Sequence, residues 1–200
     1  MQSAVSSPSG LAHSSASLQK TLTGRIIFAV AATGLVALCA HISLPLPFTP
    51  VPLTLQTFAV ILVGMALGPV AGFSAMVLYL AQGAMGLPVF TPHGPGGVAQ
   101  LMGPTAGFLF SYPLAAASAG WVVRAPGDRA SRFARAVAAG CVASVFIFAL
   151  GAGWLASLLH LNASATWHLA IAPFLPGEAI KVTAAAGIYS TFERWRRSRI

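Results

Sequence analysis

IIFAVAATGLVALCAHISLPLPFTPVPLTLQTFAVILVGMALGPVAGFSAMVLYLAQGAMGL, residues 26–87, contains no Asp, Glu, Lys or Arg. The charge-free run continues to Val123, and a second lies between Arg135 and Glu178. Soluble domains carry about 25% charged residues, whereas this chain has 7% charged and 56% hydrophobic residues. Such a composition cannot clothe a water-exposed surface of this size. Apolar runs well beyond about 18 residues read as membrane spans. The expected fold class is therefore an all-α integral membrane protein.

Breaks inside the runs mark the span ends. Pro45, Pro47, Pro50 and Pro52 cannot continue a helix, because proline lacks the amide donor and restricts the residue before it. They separate a first span, Arg25 to Leu44, from a second, Leu53 to Leu67. Gly68-Pro69 makes a turn, and the third span runs from Val70 to Leu87. An irregular stretch follows, Pro88 to Gly97, continuing through Gln100 to Gly103-Pro104-Thr105. The fourth span covers Ala106 to Val123. After a basic loop, Arg124 to Arg135, the fifth covers Ala136 to His160. A polar link with Asn162, Ser164, Thr166 and His168 leads to the sixth, which begins near Pro176. The expected division is a flexible cytoplasmic tail over 1–23, a six-helix membrane domain over 24–193, and a basic cytoplasmic tail over 194–200.

The formal net charge is +8, but its placement argues against nucleic-acid binding. The cations fall in three clusters bordering apolar runs: Lys20 and Arg25, Arg124 to Arg135, and Arg194 to Arg199. That is the positive-inside pattern of cytoplasmic loops. Four spans separate the first two clusters and two separate the last two, so six transmembrane helices put all three on one side. Five or seven would strand one cluster outside. Both termini are then cytoplasmic, and the irregular Pro- and Gly-rich segments converge on the opposite face. The serine-rich N-terminal residues lack the charged start and apolar core of a signal peptide. Cys39 and Cys141 lie in apolar stretches and read as buried, unpaired thiols.

Glu178 and Lys181 are the two charges placed within a span. A mid-membrane charge costs roughly 2.5–3.5 kcal/mol on insertion scales. At i and i+3 they share one helix face, about one turn into the last span and just after Pro176-Gly177. An ion pair that merely fixes the helix is one reading. A polar site for a small solute is the other, because intramembrane ionisable groups are functional candidates by default. Ala29, Thr33 and Ala37 recur every fourth residue along the first span. Small faces let helices approach closely in lipid, either within the chain or against another subunit.

Three stretches carry a family resemblance across most of the chain: LPFTPVPLTLQTFAVILVGMALGP, then YLAQGAMGLPVF followed by a Gly-rich loop and MGPTAGF, and finally PFLPGEAIKV. Together they resemble the BioY family, the biotin-binding S components of energy-coupling factor (ECF) vitamin transporters. Glu178 stands where Asp is the more usual acid. The resemblance implies the six-helix ECF S-component fold in a bacterial cell (inner) membrane. It also implies biotin as ligand, no cofactor, and two kinds of partner: a transmembrane coupling subunit and two ATP-hydrolysing subunits. The chain has no P-loop and so no ATPase site of its own. Biotin offers a carboxylate, a ureido group with two N–H donors and an oxygen, and an apolar sulfur ring. Lys181 suits the carboxylate or the ureido oxygen, and Glu178 or Gln82 suits the N–H donors. Tyr79, Phe90 and Trp167 are candidate walls, though each also fits a core or interfacial role. Gln82 also fits a bridge between helices. Gly94, Gly96 and Gly97 allow close backbone approach. In the family picture Ala29, Thr33 and Ala37 dock on the coupling subunit.

Other readings are weaker. His41, His93, His160 and His168 would all lie near one face, as in a metal carrier, but none shows short metal-ligand spacing. No paired carboxylates or nucleophile motif point to an enzyme. A purely structural role leaves the buried Glu178 and Lys181 without a reason.

Overall fold

The computed structural model describes residues 22–126 and 131–198. The expected N-terminal tail lies outside them, apart from its last two residues. Six helices of twelve or more residues form the body: α1 (Leu22–His41), α2 (Gln56–Leu67), α3 (Pro69–Ala84), α5 (Ala106–Arg124), α6 (Arg132–Leu159) and α8 (Leu175–Arg197). Between α3 and α5 lies the short α4 (Gly97–Gln100). Between α6 and α8 come α7 (Ala163–Thr166), a π-turn over Trp167–Ile171 and a 3-10 turn over Ala172–Phe174. Among the described residues the one departure from an all-helical framework is a two-residue ladder, β1 (Ser43–Leu44) antiparallel to β2 (Leu53–Thr54). It closes the proline-rich loop into a hairpin.

Among the described residues three segments are long and apolar enough to cross a membrane: Ala106–Arg124, Arg132–Leu159 and the nearly continuous run Ala163–Arg197. The expected polar link after residue 160 is thus mostly helical, because Asn162 caps α7 by accepting from the Ala165 amide at 2.8 Å. Helical structure also reaches Arg197, so the expected basic tail from 194 continues α8 instead of leaving it. The fifth span starts earlier than expected, at Arg132, where the Ser131 hydroxyl accepts from the Ala134 amide. Side-chain capping of this kind satisfies amides that have no partner in the first turn.

α2 has 12 residues, about 18 Å at 1.5 Å per residue, well short of the ~30 Å hydrocarbon thickness. Packing explains how so short a helix is tolerated. α2 is the hub of the bundle and touches α1, α3, α5, α6 and α8. A helix apolar on every side belongs in the middle of other helices, and Ala59, Val60, Ile61, Val63 and Met65 are all buried.

The C-terminal end of α2 is locked by glycine. A side chain on Gly64 would run into the backbone of Ala116 on α5, and one on Gly120 would run into the backbone of the 64–69 turn. Gly68 ends α2 at φ 92°, a left-handed conformation that favours glycine. Arg124 completes this end. Its guanidinium donates to the carbonyls of Met65 (3.1 Å), Ala66 (3.2 Å) and Gly120 (3.1 Å), filling acceptors that a helix C-terminus leaves open. Near the same end Arg132, Arg135, Tyr189, Glu193 and Arg197 line a polar hollow.

Cys39 is buried and Cys141 is exposed; both are free thiols. The expectation that both are buried therefore fails for Cys141, which lies on the outward side of α6.

Candidate functional site

The opposite end of α2 opens into a cavity between the helices. Its N-terminal residues Gln56 and Thr57 form one wall. α5 adds Phe108, Leu109 and Tyr112, α6 adds Ile147 and Phe148, and Phe174 closes the side next to α8. The hairpin loop contributes Val51 and Pro52, α4 contributes Gln100, and the loops flanking it contribute Phe90, Thr91 and Thr105. Aromatic and aliphatic surface dominates, with a few placed polar groups.

Glu178 and Lys181 line this cavity from the first turns of α8. They are 5% and 8% exposed, and their charged groups stand 3.4 Å apart. Two hydroxyls from other helices complete the arrangement. Ser144 on α6 donates to Glu178 Oε1 at 2.8 Å. Thr57 on α2 donates to Glu178 Oε2 at 2.8 Å and accepts from Lys181 Nζ at 3.1 Å. The carboxylate thus accepts three bonds, as a buried charge requires. The ammonium has three protons, and Thr57 and Glu178 engage two. One donor remains for an acceptor in the cavity.

The other expected site residues divide. Phe90 is buried and lines the cavity. Tyr79 lies behind the wall: fully buried, it accepts from Gln56 Nε2 at 2.5 Å and donates to the Val89 carbonyl at 2.7 Å. Gly96 and Gly97 sit at φ 68° and 56° in the turn that starts α4. A side chain on Gly94 would collide with the Gln100 amide. These glycines shape the seat of Gln100, whose Nε2 donates to Thr105 Oγ1 at 2.8 Å, and they do not line the cavity themselves. Gln82 lies on α3 away from the cavity wall, and Trp167 is 49% exposed on the outer surface.

The small stripe of α1 is partly covered by the chain's own helices. Thr33 is 2% exposed, and Ala29 and Ala37 pack against the chain's own core. Ala29 and Ala37 remain partly exposed, so the stripe serves packing within the chain and still presents small side chains at its surface. Ile27, Val30 and Leu38 are exposed on the same helix. Among the described residues no group of three or more His, Cys, Asp or Glu gathers to hold a metal ion.

Thr57, Ser144, Gln56, Thr91 and Gln100 were not read as site residues from sequence. For Gln56 and Thr57 a signal existed: two polar residues together at the start of an apolar span. Ser144 gave none, being one of several lone serines in long helices.

The model of the BioY family matches residues 11–198. The chain belongs to the BioY family. A protein of Rhodobacter capsulatus named biotin transporter BioY is 34% identical over 192 residues, covering 90% of this chain and 95% of that protein. The probable biotin transporter BioY of Pyrococcus horikoshii is 49% identical over 71 residues, and that match spans 36% of this chain and 43% of the relative's own length. Among solved structures, a 2.1 Å crystal structure of the S-component for biotin from an ECF-type ABC transporter superposes with a TM-score of 0.74. It covers 85% of this chain and 90% of that one at 22% identity. At that identity the likeness establishes the fold, that of an S component; membership of the BioY family together with the apolar helices makes the chain a membrane protein.

Proposed function

We propose that this BioY-family chain is the biotin-binding membrane subunit for high-affinity biotin uptake, energised by a separate ATP-hydrolysing ECF module. The observation that carries the reading is the Glu178–Lys181 pair, buried with Thr57 and Ser144 in the wall of one apolar cavity. A pair kept only to pin a helix has no need of a cavity beside it. A solute with an apolar ring system and polar groups does. Apolar walls take the bicyclic ring by removing its surface from water, and the remaining Lys181 donor takes an acceptor, either the carboxylate or the ureido oxygen. The names of the relatives and of the superposable S component support the same ligand.

The further elements follow from the same reading. The partners are a transmembrane coupling subunit and two ATPase subunits. The chain crosses the bacterial inner membrane six times with both termini cytoplasmic, as the three basic clusters require. The cavity then opens toward the outside, where the solute arrives. The deciding experiment is equilibrium binding of labelled biotin to the purified chain. Saturable, high-affinity binding is expected; no binding by a folded, monodisperse protein would refute the reading. Impermeant labelling of single cysteines introduced into the tails of intact cells checks the orientation, with no label expected.

A further inference from the structure

Within the cavity most polar side chains are already engaged with protein. Gln56 bonds Tyr79, Gln100 bonds Thr105, and Glu178 accepts from Ser144, Thr57 and Lys181. Thr91 differs. It is 7% exposed, it lines the cavity, and its Oγ1 is the one buried side-chain polar atom among the described residues with no hydrogen-bond partner. A buried hydroxyl without a partner is unfavourable, and native structures leave few of them.

Local structure explains why Thr91 does not turn aside to find a partner. Tyr79 donates to the Val89 carbonyl, two residues before it. The Phe90 ring stacks edge-on to Tyr79 with centroids 5.5 Å apart, and it fills the space that any side chain on Gly83 would occupy. The segment Val89-Phe90-Thr91 is thus pinned to α3 by its backbone on one side of Thr91 and by a ring beside it. Gln56 holds Tyr79 in turn. Thr91 is thereby held at the cavity wall, with no freedom to swing its hydroxyl to another partner.

We propose that the Thr91 hydroxyl is a hydrogen-bond partner of the bound solute. It meets a polar group other than the one at Lys181, and Tyr79 is the positioning residue behind it. This rests on the biotin reading and deepens it. Two groups on residues of the cavity wall lack a protein partner, the third Lys181 proton and the Thr91 hydroxyl. Biotin carries two separated polar groups, the carboxylate and the ureido ring, and so matches that count. A solute with a polar group at one end only leaves Thr91 unsatisfied, and the site discriminates against it.

The test uses the full chain purified in detergent, with labelled-biotin binding and thermal unfolding measured with and without biotin. Thr91→Val keeps the side-chain shape and removes the hydroxyl. It is expected to weaken biotin binding about three- to tenfold, the loss of one neutral hydrogen bond. The ligand-free protein should unfold at the same or a higher temperature, because an unsatisfied hydroxyl has been removed. Thr91→Ser should restore binding to within about twofold. In the double variant with Lys181→Ala the two fold-losses should multiply, as they do for independent contacts. Wild-type affinity in Thr91→Val overturns the proposal, as does a lowered unfolding temperature of its ligand-free form, which would reveal a structural bond. Failure of the wild type to bind biotin overturns the parent reading and this proposal together, and is distinct from either result.

Discussion

The two ends of α2 are built on opposite terms. At its C-terminal end helix backbones touch: Gly64 meets Ala116, Gly120 meets the Gly68-Pro69 turn, and Arg124 occupies the terminal carbonyls. Nothing there has room to change. At its N-terminal end, about 18 Å away, the same helix presents Gln56 and Thr57 to a cavity. There the neighbouring helices are held apart by aromatic rings and by a solvated-type charge pair that has been buried. The closed end supplies close packing, and lipid-embedded helices depend on such packing because lipid gives them no hydrophobic drive to associate. The open end gives that packing up in exchange for a site. One short helix thus joins the stabilising and the binding halves of the molecule.

The strongest way to break this comparison is to fill the closed end. Gly64→Leu places a side chain where the Ala116 backbone lies, and overpacking against an immovable backbone exceeds the ~1–3 kcal/mol usual for cores. No folded, monodisperse protein is expected on size-exclusion chromatography. Gly34→Leu, at a position with nothing within 4 Å, should purify like wild type. A biotin-binding Gly64→Leu protein would show that this end is not closed.

Next in size is Lys181→Ala. The variant should fold, because Glu178 keeps Ser144 and Thr57 as donors. Its biotin affinity should fall about ten- to a hundredfold, the ~1.5–3 kcal/mol of a charge-assisted bond. Unchanged affinity in a folded Lys181→Ala protein leaves the pair a purely structural feature and removes the open end's claim to be a site.

Arg124→Gln sharpens the separation of the two ends. Loss of the guanidinium bonds to Met65, Ala66 and Gly120 should lower stability by about 1–2 kcal/mol, read as a fall in unfolding temperature. Biotin affinity should stay within about twofold, since distant sites act nearly additively. A large affinity loss would mean that the closed end sets the geometry of the open one.

The smallest effect separates two poses. If Lys181 meets the carboxylate, wild-type protein should bind biotin amide several-fold more weakly than biotin, by about one charge-assisted increment. Lys181→Ala should then discriminate little. If Lys181 meets the ureido oxygen, both proteins should treat acid and amide alike. Titration calorimetry of the four combinations decides between them.

Much of this was legible without coordinates. A run free of charge from residue 26 to residue 123 leaves no soluble solution, and the prolines at 45–52 and the Gly68-Pro69 turn mark helix ends by local sterics alone. The Glu178–Lys181 pair was visible because a charge inside an apolar span is conspicuous by its cost. These are properties of composition and of near neighbours in the chain, and the sequence by itself determined them. Direction in space was not among them. Ala29, Thr33 and Ala37 define a face, but how much of it the chain's own helices cover depends on where those helices lie: Thr33 is buried, while Ala29 and Ala37 stay partly exposed. Arg124 read as a loop charge and proved to be the cap of a helix far from it in sequence. Tyr79 read as a wall and stands behind one, while Thr57, Ser144 and Thr91 read as ordinary span or loop residues and enter the site. A hydroxyl acquires its role from the partner brought to within about 3 Å of it. Only the tertiary structure decides which partners those are, because they come from helices separated by dozens of residues.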